Sequence, residues 1–352
     1  MSEYVIQDSV LVDIADAIRE KEGSTGLIAV SDMENRVEAL SAGGGFPNGT
    51  EWTRSNITNV FFQRVCFANG LWVASSNSGL YYSADGKNWI QSNVTSGTGG
   101  KVCYADGLWV VSISSNGLYY STDGVNWTQS NFADQQAADI HNANGLWVAC
   151  KYYRGLWYST DGKAWTQSNV KSGDFQSVYN ANGLWVSFGS TGLYYSTDGM
   201  AWTQSNVTSG NYTCVYNANG LWVAGSNQGL YYSTDGMTWT QSNITIGTFN
   251  SVHNANGIWV VGARSGGFYY SADGMTWTLS NVTSIAANRI RYANGIWVVS
   301  AGNNNGLYYS TDGKNWSQSN VKDRTSNDVH NANGLWVTCT IYGPYYSVTW
   351  EA

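Results

Sequence analysis

Proline, charge and long apolar runs are scarce in this chain. Only Pro47 and Pro344 occur in 352 residues, and charged side chains make up 12%. No apolar run approaches the roughly 18 residues of a membrane-spanning helix, so no membrane insertion is expected. Basic residues are outnumbered, with a net charge of −7, which argues against non-specific binding of nucleic acid. The five cysteines, Cys66, Cys103, Cys150, Cys214 and Cys339, are odd in number and have no paired spacing. Neither a disulfide framework nor a zinc site is expected, and they read as buried free thiols. The start, Met1-Ser2-Glu3-Tyr4, lacks the basic stretch and apolar core of a secretory signal.

What the chain has instead is glycine, aromatic residues and a period. The phrase (Asn/Asp)-Gly-(Leu/Ile)-Trp-Val returns with Trp72, Trp109, Trp147, Trp185, Trp222, Trp259, Trp297 and Trp336, at intervals of 37 to 39 residues. A second phrase, Tyr-Ser-(Thr/Ala)-Asp-Gly-x-x-Trp, follows the first seven copies and ends at Trp89, Trp127, Trp165, Trp202, Trp239, Trp277 and Trp316. The eighth copy breaks off as Tyr345-Tyr346-Ser347-Val348-Thr349-Trp350, and its missing part stands near the other end as Asn48-Gly49-Thr50-Glu51-Trp52-Thr53-Arg54-Ser55-Asn56. A linear stack has no use for such split ends, whereas a closed ring does.

Each repeat divides into four short strand-like runs. In the fourth these are 176–181, 184–188, 193–197 and 201–206, separated by Asn182-Gly183, Ser190-Thr191-Gly192 and Asp198-Gly199. Asn-Gly and Asp-Gly are two-residue hairpin signals, because both positions take positive φ. Four antiparallel strands per repeat of about 40 residues is the arithmetic of a β-propeller blade. The predicted fold is therefore an all-β, eight-bladed propeller over 46–352. Three strands of blade 8 come from the C-terminal end, and the outermost comes from residues 50–56. Closing a loop of about 300 residues costs roughly 5 kcal/mol, which the paired strand and burial of Trp52 offset.

Residues 1–45 lie outside the period. Ser9 to Glu22 has helical spacing of Leu11, Ile14, Ala15 and Ile18, and Ser31-Asp32-Met33-Glu34 fits a capping box before a second short helix to Leu40. Such a small α-helical N-terminal segment buries little alone and is expected to pack on a partner, on copies of itself or on the ring. Ser41-Ala42-Gly43-Gly44-Gly45 reads as a linker.

The Ser-(Thr/Ala)-Asp-Gly-x-x-Trp phrase resembles the Asp-box of sialidases and related propellers, with one residue fewer between Asp and Gly. The resemblance implies a structural hairpin turn on the face away from any active site, so the repeated Asp and Trp are expected to be scaffold. The head resembles a second group. Met1–Gln7, Ile14-Ala15-Asp16-Ala17-Ile18-Arg19-Glu20-Lys21 and Met33-Glu34-Asn35-Arg36-Val37 look like the short helical segment of tail and tail-fibre proteins of phages and prophages of Gram-positive bacteria. That resemblance covers about 40 residues. It implies a virion protein, made in the host cytoplasm, whose residues 1–45 attach to other tail proteins or to copies of the chain.

Positions that differ between repeats are not required by the scaffold, and they cluster in two loop sets. One set joins strands two and three, the other joins consecutive blades, and both emerge on one face. Loops on a rigid frame carry binding, and aromatic rings beside amides and charges suit sugar recognition. The candidate ligand-binding residues are Phe62, Arg64, Tyr152, Tyr153, Arg154, Asp174, Phe175, Tyr212, Phe249, Arg264, Arg289, Asn304, Arg324 and Tyr342. The expected ligand is a host surface glycan or wall polymer, with no cofactor, no metal and no catalytic residue. His141, His253 and His330 share one repeat position on the innermost strand, where inter-blade packing or a hydrogen bond is expected rather than a metal.

Two alternatives stay open. Arg64, Arg264, Arg289, Arg291 and Arg324 fall in neighbouring repeats, and sialidases grip a carboxylate with a group of arginines. A hydrolase also needs paired carboxylates, for which Asp134, Asp139 and Asp174, or Asp323 and Asp328, qualify by position alone. The arginine sector reads better as an anion-binding patch for an acidic glycan or phosphate-bearing polymer. The other alternative is a structural tail component that binds a virion protein.

Overall fold

A computed structural model of the chain describes residues 49–114, 116–132, 137–151 and 153–347. The expected N-terminal helices and linker, Asp134 and Tyr152 lie outside these residues. The described chain forms eight four-stranded antiparallel sheets. The innermost strands of successive sheets adjoin in sequence order, and that of blade 8 adjoins that of blade 1, so the ring is closed.

The seam is built as the split repeat predicts. Blade 8 takes Ser326–Ala332, Leu335–Thr340 and Gly343–Ser347 from the C-terminal side, and Trp52–Arg54 as its outermost strand. Trp52 pairs with Ser347, Thr53 with Tyr346 and Arg54 with Tyr345. Trp52 is buried in the cluster of Val298, Leu307, Trp336 and Tyr345, which ties the seam strand to both blades 7 and 8.

Eight similar clusters fill the gaps between blades. Blade 1, for example, sets Phe62, Val65, Trp72 and Ala74 against Val337 and Cys339 of blade 8. Second strands such as Leu108–Ile113 are buried on both faces, because a blade has a neighbour on each side.

Two turn types alternate. The turn from the first to the second strand has positive φ at both residues, as at Asn182 (53°) and Gly183 (81°), which is the two-residue hairpin. The Asp-Gly of the second phrase does not follow this expectation. Only its glycine has positive φ, as at Gly86 (70°), and the turn runs from Ser83 to Ile90. The longer turn consumes residues expected in the outermost strand, which in blade 4 shrinks to Thr203–Gln204. The innermost strand of blade 4, by contrast, begins one residue earlier than expected, at Phe175.

Hydrogen bonds explain the longer turn. The Asp85 carboxylate accepts from the Lys87 and Asn88 amides at 2.9 and 2.7 Å and from the Ser83 hydroxyl at 2.9 Å. The Ser83 hydroxyl in turn accepts from the Gly86 amide at 2.9 Å. The same set recurs at Asp123, Asp161, Asp198, Asp235, Asp273 and Asp312.

Candidate functional site

The two variable loop sets share one face, and backbone hydrogen bonds join them. The Asn77 amide donates to Phe61, that of Ser190 to Asp174, that of Arg264 to Thr248 and that of Ile341 to Thr325. Each bond links the loop between strands two and three to the connection entering the same blade. In these blades the binding-face residues therefore sit on a braced rim rather than on free loops.

The rim does not expose all fourteen candidate residues. Phe62, Phe175, Tyr212 and Phe249 are fully buried, which corrects their expected role as ligand contacts. Each is the first residue of an innermost strand, and each packs on a third-strand aromatic ring: Phe62 on Tyr81 at 5.1 Å, Phe175 on Tyr194 at 5.2 Å, Tyr212 on Tyr231 at 5.5 Å and Phe249 on Tyr269 at 5.8 Å. The physical cause is a β-bulge. Phe62 pairs with Ser76 but Arg64 pairs with Ser75, so Gln63 is an inserted residue. The insertion puts Phe62 on the same buried blade face as Val65 and leaves Arg64 on the other.

The remaining candidates divide between rim and channel. Tyr153 is 78% exposed at a φ of 61°, with Arg154 exposed beside it on blade 3. On blade 8, Tyr342 is 42% exposed and the Arg324 guanidinium lies 5.1 Å above its ring and 5.7 Å from that of Tyr345. Arg264 is exposed on blade 6. Asn304 on blade 7 exchanges hydrogen bonds with Thr325 at 3.1 and 3.2 Å, which fixes that loop to the entry of blade 8. Asp174 accepts from Ser190 through its backbone oxygen at 3.0 Å and its carboxylate at 3.4 Å.

Arg64 and Arg289 belong to the innermost strands, at the third position of Phe62–Ala68 and Ala287–Ala293. Around the ring this position holds Arg64, Lys101, Asp139, Ser177, Cys214, Ser251, Arg289 and Asp328. The position two residues on holds Cys66, Cys103, His141, Tyr179, Tyr216, His253, Arg291 and His330. Both rows belong to the innermost strands, which line the lumen of the ring, on the strand face opposite Val65 and its equivalents. Lys101 contacts Asp139 at 2.9 Å, and Arg289 contacts Asp328 at 3.4 Å. Asp328 also accepts from the Val65 amide of blade 1 at 3.2 Å, and Asp139 from the Val178 amide of blade 4 at 3.3 Å and from the Ser177 hydroxyl. Among the described residues these two rows thus hold four cations, Arg64, Lys101, Arg289 and Arg291, against two carboxylates, in a protein of net charge −7.

The chemistry of these groups is clear in direction. Burial works against ionisation of Asp139 and Asp328, but Lys101 at the first and Arg289, Arg64 and Arg291 at the second outweigh it. Both carboxylates sit below the ordinary range and stay ionised. A retaining or inverting glycosidase needs one carboxyl group raised so that it carries a proton, and neither lumen aspartate meets that need. Burial and Arg289 lower Arg64, and the same causes bring Arg291 down to about 10.

The histidine row packs between blades. His330 meets Trp72 edge-on at 5.8 Å, His141 meets Trp185 at 5.8 Å and His253 meets Trp297 at 5.8 Å, each ring belonging to the next blade. Tyr179 and Tyr216 do the same against Trp222 and Trp259. Burial lowers the histidines to about 4 at His141 and His330 and about 3 at His253, so they are neutral near pH 7. The five cysteines are free, with Cys150, Cys214 and Cys339 buried and Cys66 and Cys103 only partly so.

One structural role escaped the sequence reading. The asparagine after an outermost strand clasps the tryptophan at the start of the next blade's outermost strand. Asn93 accepts from the Trp127 amide at 2.8 Å and donates to the Trp127 carbonyl at 2.9 Å. Asn93-Val94-Thr95 has the form of a glycosylation sequon, as do several of its counterparts, but its amide is consumed by this clasp. The repeated position after Gln-Ser was the available signal.

No family model matches the chain, and no curated protein matches it in sequence. Solved structures do match in shape. A computationally designed protein, Ika8, aligns with a TM-score of 0.69 at 10% identity, over 85% of this chain and 99% of its own. Sqt1 of Saccharomyces cerevisiae aligns at 0.63 and 11%, over 87% and 99% of the two chains. YCF48 of Cyanidioschyzon merolae aligns at 0.57 and 11%, over 84% and 98%. At such identities the likeness establishes the β-propeller fold alone.

Proposed function

We propose that this protein is a non-catalytic adhesin, a phage tail-associated receptor-binding protein whose variable rim recognises a host surface glycan or wall polymer. The observation that carries this reading is where its exposed aromatic rings stand. The interior is lined with tryptophan and tyrosine, yet the strongly exposed aromatic side chains among the described residues are Tyr153 and Tyr342. Both lie on loops between strands two and three, on the rim, and each has an arginine beside it, Arg154 or Arg324. An exposed ring next to hydrogen-bonding cations suits the apolar face and the hydroxyl or acidic groups of a sugar. Bracing of the loop that carries Tyr342 limits the ordering cost of binding there. The phage context rests on the resemblance of residues 1–45, and several weak sites on an assembled tail gain strength by avidity.

The ionised state of Asp139 and Asp328 leaves neither as the proton donor that a glycoside hydrolase needs. The test is an array of bacterial surface glycans and wall polymers probed with the intact chain, alongside a product-release assay on the same polymers. Binding without release, weakened at least tenfold by Tyr153→Ala or Tyr342→Ala, supports the adhesin. Release of sugar products overturns the non-catalytic reading, and failure to bind any bacterial polymer overturns recognition altogether.

A further inference from the structure

The lumen carries an excess of positive charge that the scaffold does not need. In blades 4, 5 and 6 the two lumen positions are neutral: Ser177 and Tyr179, Cys214 and Tyr216, Ser251 and His253. The same strand geometry therefore forms without charge. Across blades 7, 8 and 1 the positions hold Arg289 and Arg291, then Asp328, then Arg64. Lys101 has its own carboxylate in Asp139 at 2.9 Å, whereas Asp328 meets Arg289 at 3.4 Å on the blade 7 side and accepts at 3.2 Å from the amide of Val65, the residue after Arg64, on the blade 1 side; Arg291 stands two residues beyond Arg289 on the same strand.

The hydrogen bonding of the three is incomplete. Arg64 donates to the Gln63 carbonyl at 3.1 Å and Arg291 to the Ile290 carbonyl at 3.2 Å, each on its own strand. Arg289 approaches Asp328 at 3.4 Å, but its Nε–H makes no hydrogen bond there. Each guanidinium has five donors, so most of the donors in this sector are uncommitted. Arg289 disfavours the charged forms of both Arg64 and Arg291, and a bound anion would relieve that repulsion.

We propose that Arg64, Arg289 and Arg291, gathered about the single carboxylate of Asp328, form a lumen site for a doubly charged phosphate group. Three guanidiniums and one carboxylate leave two positive charges, which a phosphate monoester or inorganic phosphate dianion matches and a carboxylate does not. Guanidinium groups also fit phosphate oxygens in pairs. Neither Arg264 nor Arg324 takes part, since both belong to the rim. The site is separate from the aromatic rim, and either can fail without the other.

The test titrates inorganic phosphate into the intact chain at about pH 8, where the dianion dominates, by calorimetry at low salt. A sugar phosphate monoester and acetate are titrated beside it. Saturable phosphate binding at one site, at least tenfold stronger than acetate, is expected. Arg291→Gln weakens it at least tenfold, and Asp328→Asn tightens it severalfold. The second variant keeps the test sound if the first fails to fold, because tighter binding cannot come from misfolding. Stronger binding of the monoester than of inorganic phosphate identifies a carried phosphate group as the ligand, and the reverse identifies free phosphate; both uphold the site. Absence of saturable phosphate binding, equal affinity for acetate, or indifference to Asp328→Asn overturns it.

Discussion

The side-chain amide of Asn320 holds both backbone groups of Trp52 across 268 residues of sequence, accepting from its N–H at 3.0 Å and donating to its carbonyl at 3.1 Å. It closes a circuit of equivalent clasps. Asn56 repeats the contact on Trp89 at 2.7 and 3.1 Å, and Asn206 repeats it on Trp239 at 2.9 and 3.0 Å. The ring is therefore joined not only by apolar clusters but by one asparagine per junction.

Asn320→Ala removes two part-buried hydrogen bonds and is expected to destabilise the protein by about 1–3 kcal/mol. Asn206→Ala removes the same pair within a continuous stretch of chain. The seam strand Trp52–Arg54, unlike the other outermost strands, is not joined through a turn to the strand it pairs with. Asn320→Ala should therefore accelerate amide hydrogen exchange at 52–54 more than Asn206→Ala does around Trp239. Equal local protection in the two variants would show that the seam is no weaker than other junctions.

Acid should weaken the fold in two stages. His141, His253 and His330 are depressed to about 4, 3 and 4, against about 6.5 in an unfolded chain. Between those values the unfolded state binds more protons, so stability is full above pH 6.5 and declines as pH falls toward 4. The turn aspartates follow. Burial pushes Asp85 up, but the Asn88 and Lys87 amides and the Ser83 hydroxyl outweigh it and bring it to about 2. The other six turn aspartates are likewise lowered. Their contribution is present above about pH 4 and lost below it. Replacing the three histidines with tyrosine, which blades 4 and 5 already carry there, should flatten melting temperature between pH 6.5 and 4 and leave the lower stage intact.

Phe175 and Tyr153 were sequence equals as candidate contacts and should now behave as opposites. Phe175→Ala opens a cavity beside Tyr194 and should cost about 3–5 kcal/mol. Tyr153→Ala touches an exposed ring, should change stability by less than about 0.5 kcal/mol, and should weaken glycan binding. Thermal melting and array binding on the two variants separate these outcomes.

That pair also marks how far the sequence was legible. Ring closure, blade number and the eighth-blade seam follow from period and split ends, because backbone pairing repeats with the same spacing as the residues. The bulge at Gln63 and its equivalents does not show in the period, since one inserted residue leaves the spacing of tryptophans unchanged. It moved Phe62, Phe175, Tyr212 and Phe249 from rim to core. The clasp was hidden for a different reason: Asn93 acts on a residue 34 positions away, and its neighbours read as a sequon. The lumen arginines were visible as an arginine-rich sector, but only the strand position separates Arg64, Arg289 and Arg291 from Arg264 and Arg324.

The cysteines supply a probe of where the ring opens. The thiolate is the reactive form, and burial pushes Cys66 and Cys214 up to about 12 and Cys150 and Cys339 well above their ordinary value. A thiol reagent near neutral pH should therefore label the native protein slowly and the unfolded protein at all five sites. Cys339 is sealed in the cluster between blades 8 and 1, whereas Cys150 lies between blades 3 and 4, far from the seam. If the ring opens at its seam, Asn320→Ala should speed labelling of Cys339 several-fold while leaving Cys150 near its wild-type rate. Mass-spectrometric rates at the two sites decide this, and equal acceleration would mean that blades unfold together rather than from the seam.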